Sequence, residues 1–283
     1  MSARLATTLS PRPWGVDRLP PPFESPAGER IGEVWFTPRA ALAALLVKYI
    51  FTSEALSVQV HPSDVDAPQG SRGKEECWYV IAAGPGAKLG IGFIRDLGAA
   101  ELRAAALDGS IEQLLDWHPV KAGDFFYIPA GTVHAIGAGI SLIEVQQNSD
   151  VTYRLYDYGR PRELHLDAGL KVAKGEPYPA QLHRHVPAQG SEQLVEGPHF
   201  RLDRLEGAPA AQVLARYHGA LLVLPLDQPL RVRSEMILPG DCALAETLGA
   251  VEFGEGLSLI TQPIGSARTV SSIQPPPTTR SSA

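Results

Sequence analysis

Three short segments carry side chains of the types that share a cation. In LSVQVHPSD, alternation along an extended chain puts Ser57, Gln59 and His61 on one face and Leu56, Val58 and Val60 on the other. A polar row backed by an apolar one suits the interior or mouth of a barrel, although a surface strand with its polar face in water has the same pattern. In GKEECWYVI the same alternation groups Lys74, Glu76 and Trp78. Glu76 can supply an anionic oxygen ligand there, with Lys74 close enough to bind a substrate oxygen or shuttle a proton; taken alone, KEE also reads as a solvated strand end. In GDFFYIPAGTVHAIG the spacing G-x5-P-x-G-x2-H describes a strand, a tight turn and a returning strand that brings His134 towards His61 and Glu76. A lone histidine past a turn is more often a surface residue, and the full spacing is what gives the segment its specificity.

Together Gln59, His61, Glu76 and His134 form a mixed nitrogen and oxygen set that suits Zn²⁺. The absence of thiolates argues against a purely structural zinc knot. A neutral amide ligand such as Gln59 leaves the metal more Lewis-acidic, with a position open for water or substrate. The other histidines compete poorly. His183 and His185 alternate but lie among prolines in an expected connection, His118 adjoins Pro119, and His165, His199 and His218 have no matching partner pattern.

These residues need a β-rich scaffold, and the composition agrees. The 283 residues are 44% hydrophobic and 20% charged, and 27 glycines and 25 prolines imply many turns between short strands. A formal charge of -6 argues against nucleic acid or an anionic membrane as the main partner, and a phosphorylated ligand requires a local basic site. Cys77 and Cys242 cannot build a disulfide framework. The N-terminus has no signal-like apolar core, and the run from Ala40 to Phe51 is too short to span a bilayer, so a cytoplasmic protein is expected. Residues 1–30 are expected to wrap the outside of a domain. Strands follow from Ile31, and Ala99 to Trp117 is expected to be helical, with Ser110 and Gln113 as a capping box. The expected division is a metal-binding domain over 1–174, a connecting segment over 175–199, a smaller β-domain over 200–270 without metal ligands, and a disordered tail over 271–283.

From about Leu45 to Leu166 the sequence resembles the type I mannose-6-phosphate isomerases, in their short bacterial form. LSVQVHPSD, GKEECWYVI, GDFFYIPAGTVHAI and IEVQQNSDVTYRLYDYGR carry the resemblance, with WG at Trp14-Gly15 and IGEVW at Ile31–Trp35. It implies a mainly β fold: a cupin (jelly-roll) barrel with a short helical insertion and a second, smaller cupin-like β-domain. It implies metal ligation by Gln59, His61, Glu76 and His134, and places Ser57 and Lys74 near the substrate. Asp150 and Arg154 match family residues implicated in proton transfer. Glu75 departs from the family pattern, standing where a small polar residue is more usual.

The implied activity is zinc-dependent interconversion of mannose 6-phosphate and fructose 6-phosphate through a cis-enediol, with one zinc per chain in a monomer or small homo-oligomer. Arg154 would supply positive charge for the developing enediolate, and Asp150 or Lys74 would handle the proton. Because Asp150 and Arg154 share strand parity, a structural ion pair is the bland reading of the two. Lys74, Arg72 and Arg160 are candidates for the phosphate. Two other classes remain open at this stage. One is a metal-dependent cupin dioxygenase, which Gln59 and NSD-xxx-R disfavour; the other is a non-catalytic sugar-binding or regulatory cupin.

Overall fold

The computed structural model describes residues 2–264. The expectation for the tail over 271–283 lies outside the described residues. In chain order the first part comprises β1 (Thr7–Val16), β2 (Ile31–Phe36), β3 (Leu45–Phe51), β4 (Val58–Val60), β5 (Glu76–Ala83) and β6 (Lys88–Phe93). Helices α1 (Ala99–Asp108) and α2 (Ile111–Leu114) follow, then β7 (Leu115–Pro119), β8 (Asp124–Ile128), β9 (His134–Ile136), β10 (Ile140–Gln147) and β11 (Tyr153–Tyr156). Helix α3 (Leu166–Val172) and β12 (His183–His185) complete it. The remainder is β13 (Glu192–Glu196), β14 (Phe200–Glu206), α4 (Ala211–Leu214), β15 (Leu221–Pro225), β16 (Leu230–Val232), β17 (Glu235–Ile237), β18 (Ala243–Ala245), β19 (Val251–Glu252) and β20 (Leu257–Pro263).

A seven-stranded sheet in the order β1-β2-β3-β10-β5-β8-β12 faces a five-stranded sheet, β11-β4-β9-β6-β7, as the expected cupin jelly roll. Ile50, Trp78, Val80, Phe126 and Leu142 of the large sheet meet Leu89, Ile91 and Ile136 of the small one between the two. The small sheet turns Val58, Val60 and Ala135 outward beneath Leu102, Ala105 and Ile111 of the helical insertion. Val58 and Val60 of LSVQVH therefore lie on a helix-covered face, with Gln59 turned into the barrel, while Leu56, ahead of β4, packs in the core between the sheets.

Strand β3, LLVKYIF, is buried at every position, which explains its lack of alternation. Its outward residues Tyr49 and Phe51 join Cys77, Tyr79, Ile143 and Val145 in a core shared with Phe200, Leu202, Leu222 and Leu259 of the second unit. That unit has a five-stranded sheet, β13-β14-β20-β15-β18, and a three-stranded one, β17-β16-β19.

Several elements differ from expectation. Residues 1–30 are not merely a wrapping: β1 is an edge strand paired with β2 from Thr7↔Phe36 onward. Its prolines are tolerated because one side of an edge strand needs no ladder donors. Segment 175–199 is not a plain connection, because β12 extends the first barrel against β8 and β13 pairs with β14. Prolines bracket those strands rather than interrupt them. His183 stacks on Phe126 at 4.1 Å and His185 Nδ1 lies 2.8 Å from Asp124 Oδ1, so both rings are held. The Ser110 hydroxyl caps nothing: Gly109 ends α1 in the left-handed region (φ 85°) and Ser110 is already right-handed helical. The Ser110 N–H instead donates to Asp108 Oδ1 at 2.8 Å.

Candidate metal centre

Register brings the first donor residues together. Gln59 on β4 is directly opposite His134 on β9, and Glu76 on β5 is opposite Gln146 on β10. The turn before His134 uses Gly131 at φ 86°, a conformation that a side chain would strain. His61, Glu76 and His134 are 2%, 0% and 0% exposed, and their ligand atoms lie within 4.8 Å of one another. His61 Nε2 is 3.5 Å from Glu76 Oε2, and His134 Nε2 is 3.4 Å from Glu76 Oε1.

Each imidazole is fixed from behind. His61 Nδ1 lies 3.0 Å from the Val151 carbonyl and His134 Nδ1 lies 2.9 Å from the Thr132 carbonyl. A carbonyl only accepts, so each Nδ1 carries the proton and each Nε2 turns a lone pair inward. Burial holds both histidines below the ordinary imidazole range; Lys74 adds to this at His61, while Glu76 opposes it at His134. Both rings are thus neutral, the form that ligates. Burial alone would raise the Glu76 carboxyl, but the Lys74 ammonium, followed by His134, draws it below the usual range, so it is an anion.

The donor set fits a cation. Glu76 Oε1 is buried without a hydrogen-bond partner. The Lys74 ammonium already binds Glu76 Oε2 and donates to His61 Nε2 at 3.0 Å, so a positive group sits among these ligand atoms. Gln59 lies at the edge, its Nε2 3.3 Å from His134 Nε2, and its Oε1 accepts from Ser57 Oγ at 3.2 Å. A half-turn of the amide would present Oε1 to the centre and leave Ser57 Oγ to accept from Nε2.

Behind Lys74 runs a row of alternating charge that sequence reasoning missed. Lys74 Nζ is 3.5 Å from Glu144 Oε1; Lys48 Nζ is 2.9 Å from the same oxygen and 3.0 Å from Glu33 Oε1; Arg12 is 2.6 Å from Glu33 Oε2. Trp78 Nε1 donates to Glu144 Oε2 at 2.9 Å. One signal was available: a single charge inside each of the apolar strands IGEVWF, LLVKYIF and ISLIEVQQ.

The remaining predicted residues divide. Ser57 and Lys74 are buried at the centre. Arg154 lies opposite Gln59 in the β4–β11 pair, one strand from the donors. Asp150 is exposed on the turn before β11, so the parity argument linking it to Arg154 fails. The carboxylate near Arg154 is that of Asp157, 3.9 Å away. Asp157 also receives Arg162 through two contacts of 2.6 Å and Arg160 at 3.1 Å. Burial, followed by Arg162, holds the Arg154 guanidinium below its ordinary range. Three guanidiniums thus share one buried carboxylate, and Arg154 Nε and Arg160 Nη1 are buried without hydrogen-bond partners. Such a cluster accepts an anion. Arg72 is half-buried, and its carbonyl accepts from Ser149 Oγ at 2.8 Å.

Fold and centre together define a two-unit cupin able to hold a cation beside an anion-accepting arginine cluster. No family model matches the chain. Curated proteins do, among them the mannose-6-phosphate isomerase of Streptococcus mutans, 38% identical over 73% of this chain and 72% of that protein, and that of Bacillus subtilis, 40% identical over 69% and 65%. Among solved structures, the mannose 6-phosphate isomerase of Bacillus subtilis superposes with a TM-score of 0.73 at 23% identity, over 92% of this chain and 98% of that one. A mutant of the Salmonella typhimurium phosphomannose isomerase gives 0.68 at 14% identity, over 92% and 98%. The chain belongs to the mannose-6-phosphate isomerase family and is an enzyme.

Proposed function

We propose that the chain interconverts mannose 6-phosphate and fructose 6-phosphate, with one zinc ion held by His61, Glu76 and His134 and completed by Gln59. The observation that carries this reading is the buried His-Glu-His set, with both Nε2 lone pairs turned inward by backbone carbonyls. Zinc would supply Lewis acidity, polarising the sugar oxygens on C1 and C2.

The protein's own groups account for the rest. Arg154 and Arg160 each have a buried, unpartnered N–H group; Arg154 meets the enediolate charge, Arg160 is the favoured phosphate ligand, and Asp157 holds their guanidiniums in place. Ser57 orients Gln59. Lys74, inside the donor set, is the favoured proton carrier between C1 and C2 in the cis-enediol route. Asp150, on its exposed turn, is the second candidate. Among the described residues no helix is long and apolar enough to cross a membrane, which accords with a small-molecule substrate met in solution. The reading is tested by coupled assay on mannose 6-phosphate after chelation and zinc return. Activity that vanishes and recovers supports it; zinc bound without isomerase activity on hexose phosphates sinks it.

A further inference from the structure

Glu75 lies between Lys74 and Glu76. Its carboxylate accepts a hydrogen bond from the Tyr127 hydroxyl through Oε2. The same oxygen is 3.9 Å from Nε2 of His199, a residue of the second β-unit just before β14. His199 Nδ1 is 3.7 Å from Asp64 Oδ2, so its ring lies between two carboxylates.

Both carboxylates belong to segments that carry ligands. Asp64 follows His61 by three residues, and its Oδ1 accepts from the Gly73 N–H at 2.8 Å and from Gln147 Nε2 at 3.1 Å. Gln147 Oε1 accepts from the Glu75 N–H at 2.9 Å, and the Lys74 N–H donates to the Pro62 carbonyl at 2.9 Å. A side chain at Gly73 would meet Asp64 N at 2.4 Å, so the two segments are in close contact. Tyr127 packs with Phe200 of the second unit, their ring centroids 6.2 Å apart.

We propose that Glu75, Tyr127 and His199 form a clamp through which the second β-unit positions the segment bearing Lys74 and Glu76. Glu75 and His199 are positioning residues: they touch neither substrate nor metal. The inference rests on the roles proposed above for Lys74 and Glu76. It gives the second unit a part in the active centre beyond covering the large sheet.

Three full-length variants test it: Glu75→Ala, Tyr127→Phe and His199→Phe. The readouts are zinc competition against a chromogenic chelator, hydrogen exchange at the Lys74 and Glu75 amides, and separate kcat and KM. Each variant is expected to weaken zinc binding by about fivefold, less than the roughly 10–100-fold typical of a group bonded directly to a ligand. Exchange at the two amides should quicken, and kcat should fall while KM holds, because the arginine cluster belongs to a different part of the chain. Tyr127→Phe combined with Glu75→Ala should match Glu75→Ala alone, the non-additivity of groups in one network. Leu222→Ala, in the same shared core, should lower Tm without moving zinc affinity. Unchanged zinc affinity and exchange in all three variants overturns the clamp, as does an equal loss of zinc in Leu222→Ala. If the wild type has no isomerase activity the functional reading falls, and zinc competition and exchange still decide the clamp.

Discussion

Three buried donors pointing at one space are costly unless a positive group meets them, and Lys74 is the one in contact. Lys74 therefore competes with a bound cation for His61 Nε2 and a Glu76 oxygen. Lys74→Met is expected to leave zinc affinity at or above that of the wild type while lowering kcat by about 100-fold or more, the scale of a lost acid–base group. Zinc titration beside a kinetic assay checks this, and loss of both together would instead make Lys74 a structural support of the ligands. His61→Ala and His134→Ala should do the reverse, stripping zinc, since each removes a neutral nitrogen from a small set. The grouping of Gln59 with His61 and of Lys74 with Glu76 was legible through the period of two, and the return of His134 through the spacing of the turn before it. The arginine cluster was legible only in part. Arg154 and Arg160 could be named, but their organiser, Asp157, depends on the turn after β11, which has no periodicity to read.

A strand registers charges as well as ligands. Glu144 lies opposite both Lys48 and Trp78, and the row crosses neighbouring strands from Arg12 on β1 through Glu33 on β2, Lys48 on β3 and Glu144 on β10 to Lys74, two residues ahead of β5. No pattern within one strand reveals it, because each charge finds its partner on a neighbour distant in sequence. Burial alone would raise the Glu33 carboxyl, but Lys48 and Arg12 prevail and hold it at about 2, against an ordinary 4.5. A depressed carboxylate stabilises the fold fully above the unfolded value, and the contribution disappears as pH falls through the folded value. The Glu33 contribution is thus complete above about pH 4.5 and lost towards pH 2. Glu33→Gln should destabilise the protein at pH 7 by about 3 kcal/mol, the scale of breaking a buried pair, and the deficit should shrink in acid. Denaturant unfolding of both proteins at pH 7 and pH 3 is the check, and a pH-independent difference would show that Glu33 acts through packing alone.

At the scale of the whole molecule, the outer face of the large sheet makes the two units interdependent. Tyr49, Phe51, Cys77, Tyr79, Ile143 and Val145 are each at most 7% exposed, and they are covered by Phe200, Leu202, Leu222 and Leu259. Burying side chains of this kind is worth roughly 1.5–3 kcal/mol each, so the face represents stabilisation comparable to the ~5–15 kcal/mol net stability of a whole domain. A second β-unit was legible from its short apolar strands, but its boundary was not, because β12 falls among the prolines that suggested a linker yet belongs to the first barrel. A fair truncation must therefore keep β12 and stop near Ala188. Such a chain retains His61, Glu76 and His134 but exposes the apolar face, and it loses His199. It is expected to aggregate on expression or to bind a hydrophobic dye strongly, with zinc retained weakly if any stays soluble. A monomeric 1–188 chain with the full-length protein's thermal stability and zinc affinity would show that the first barrel is self-sufficient and that the apolar face serves another purpose.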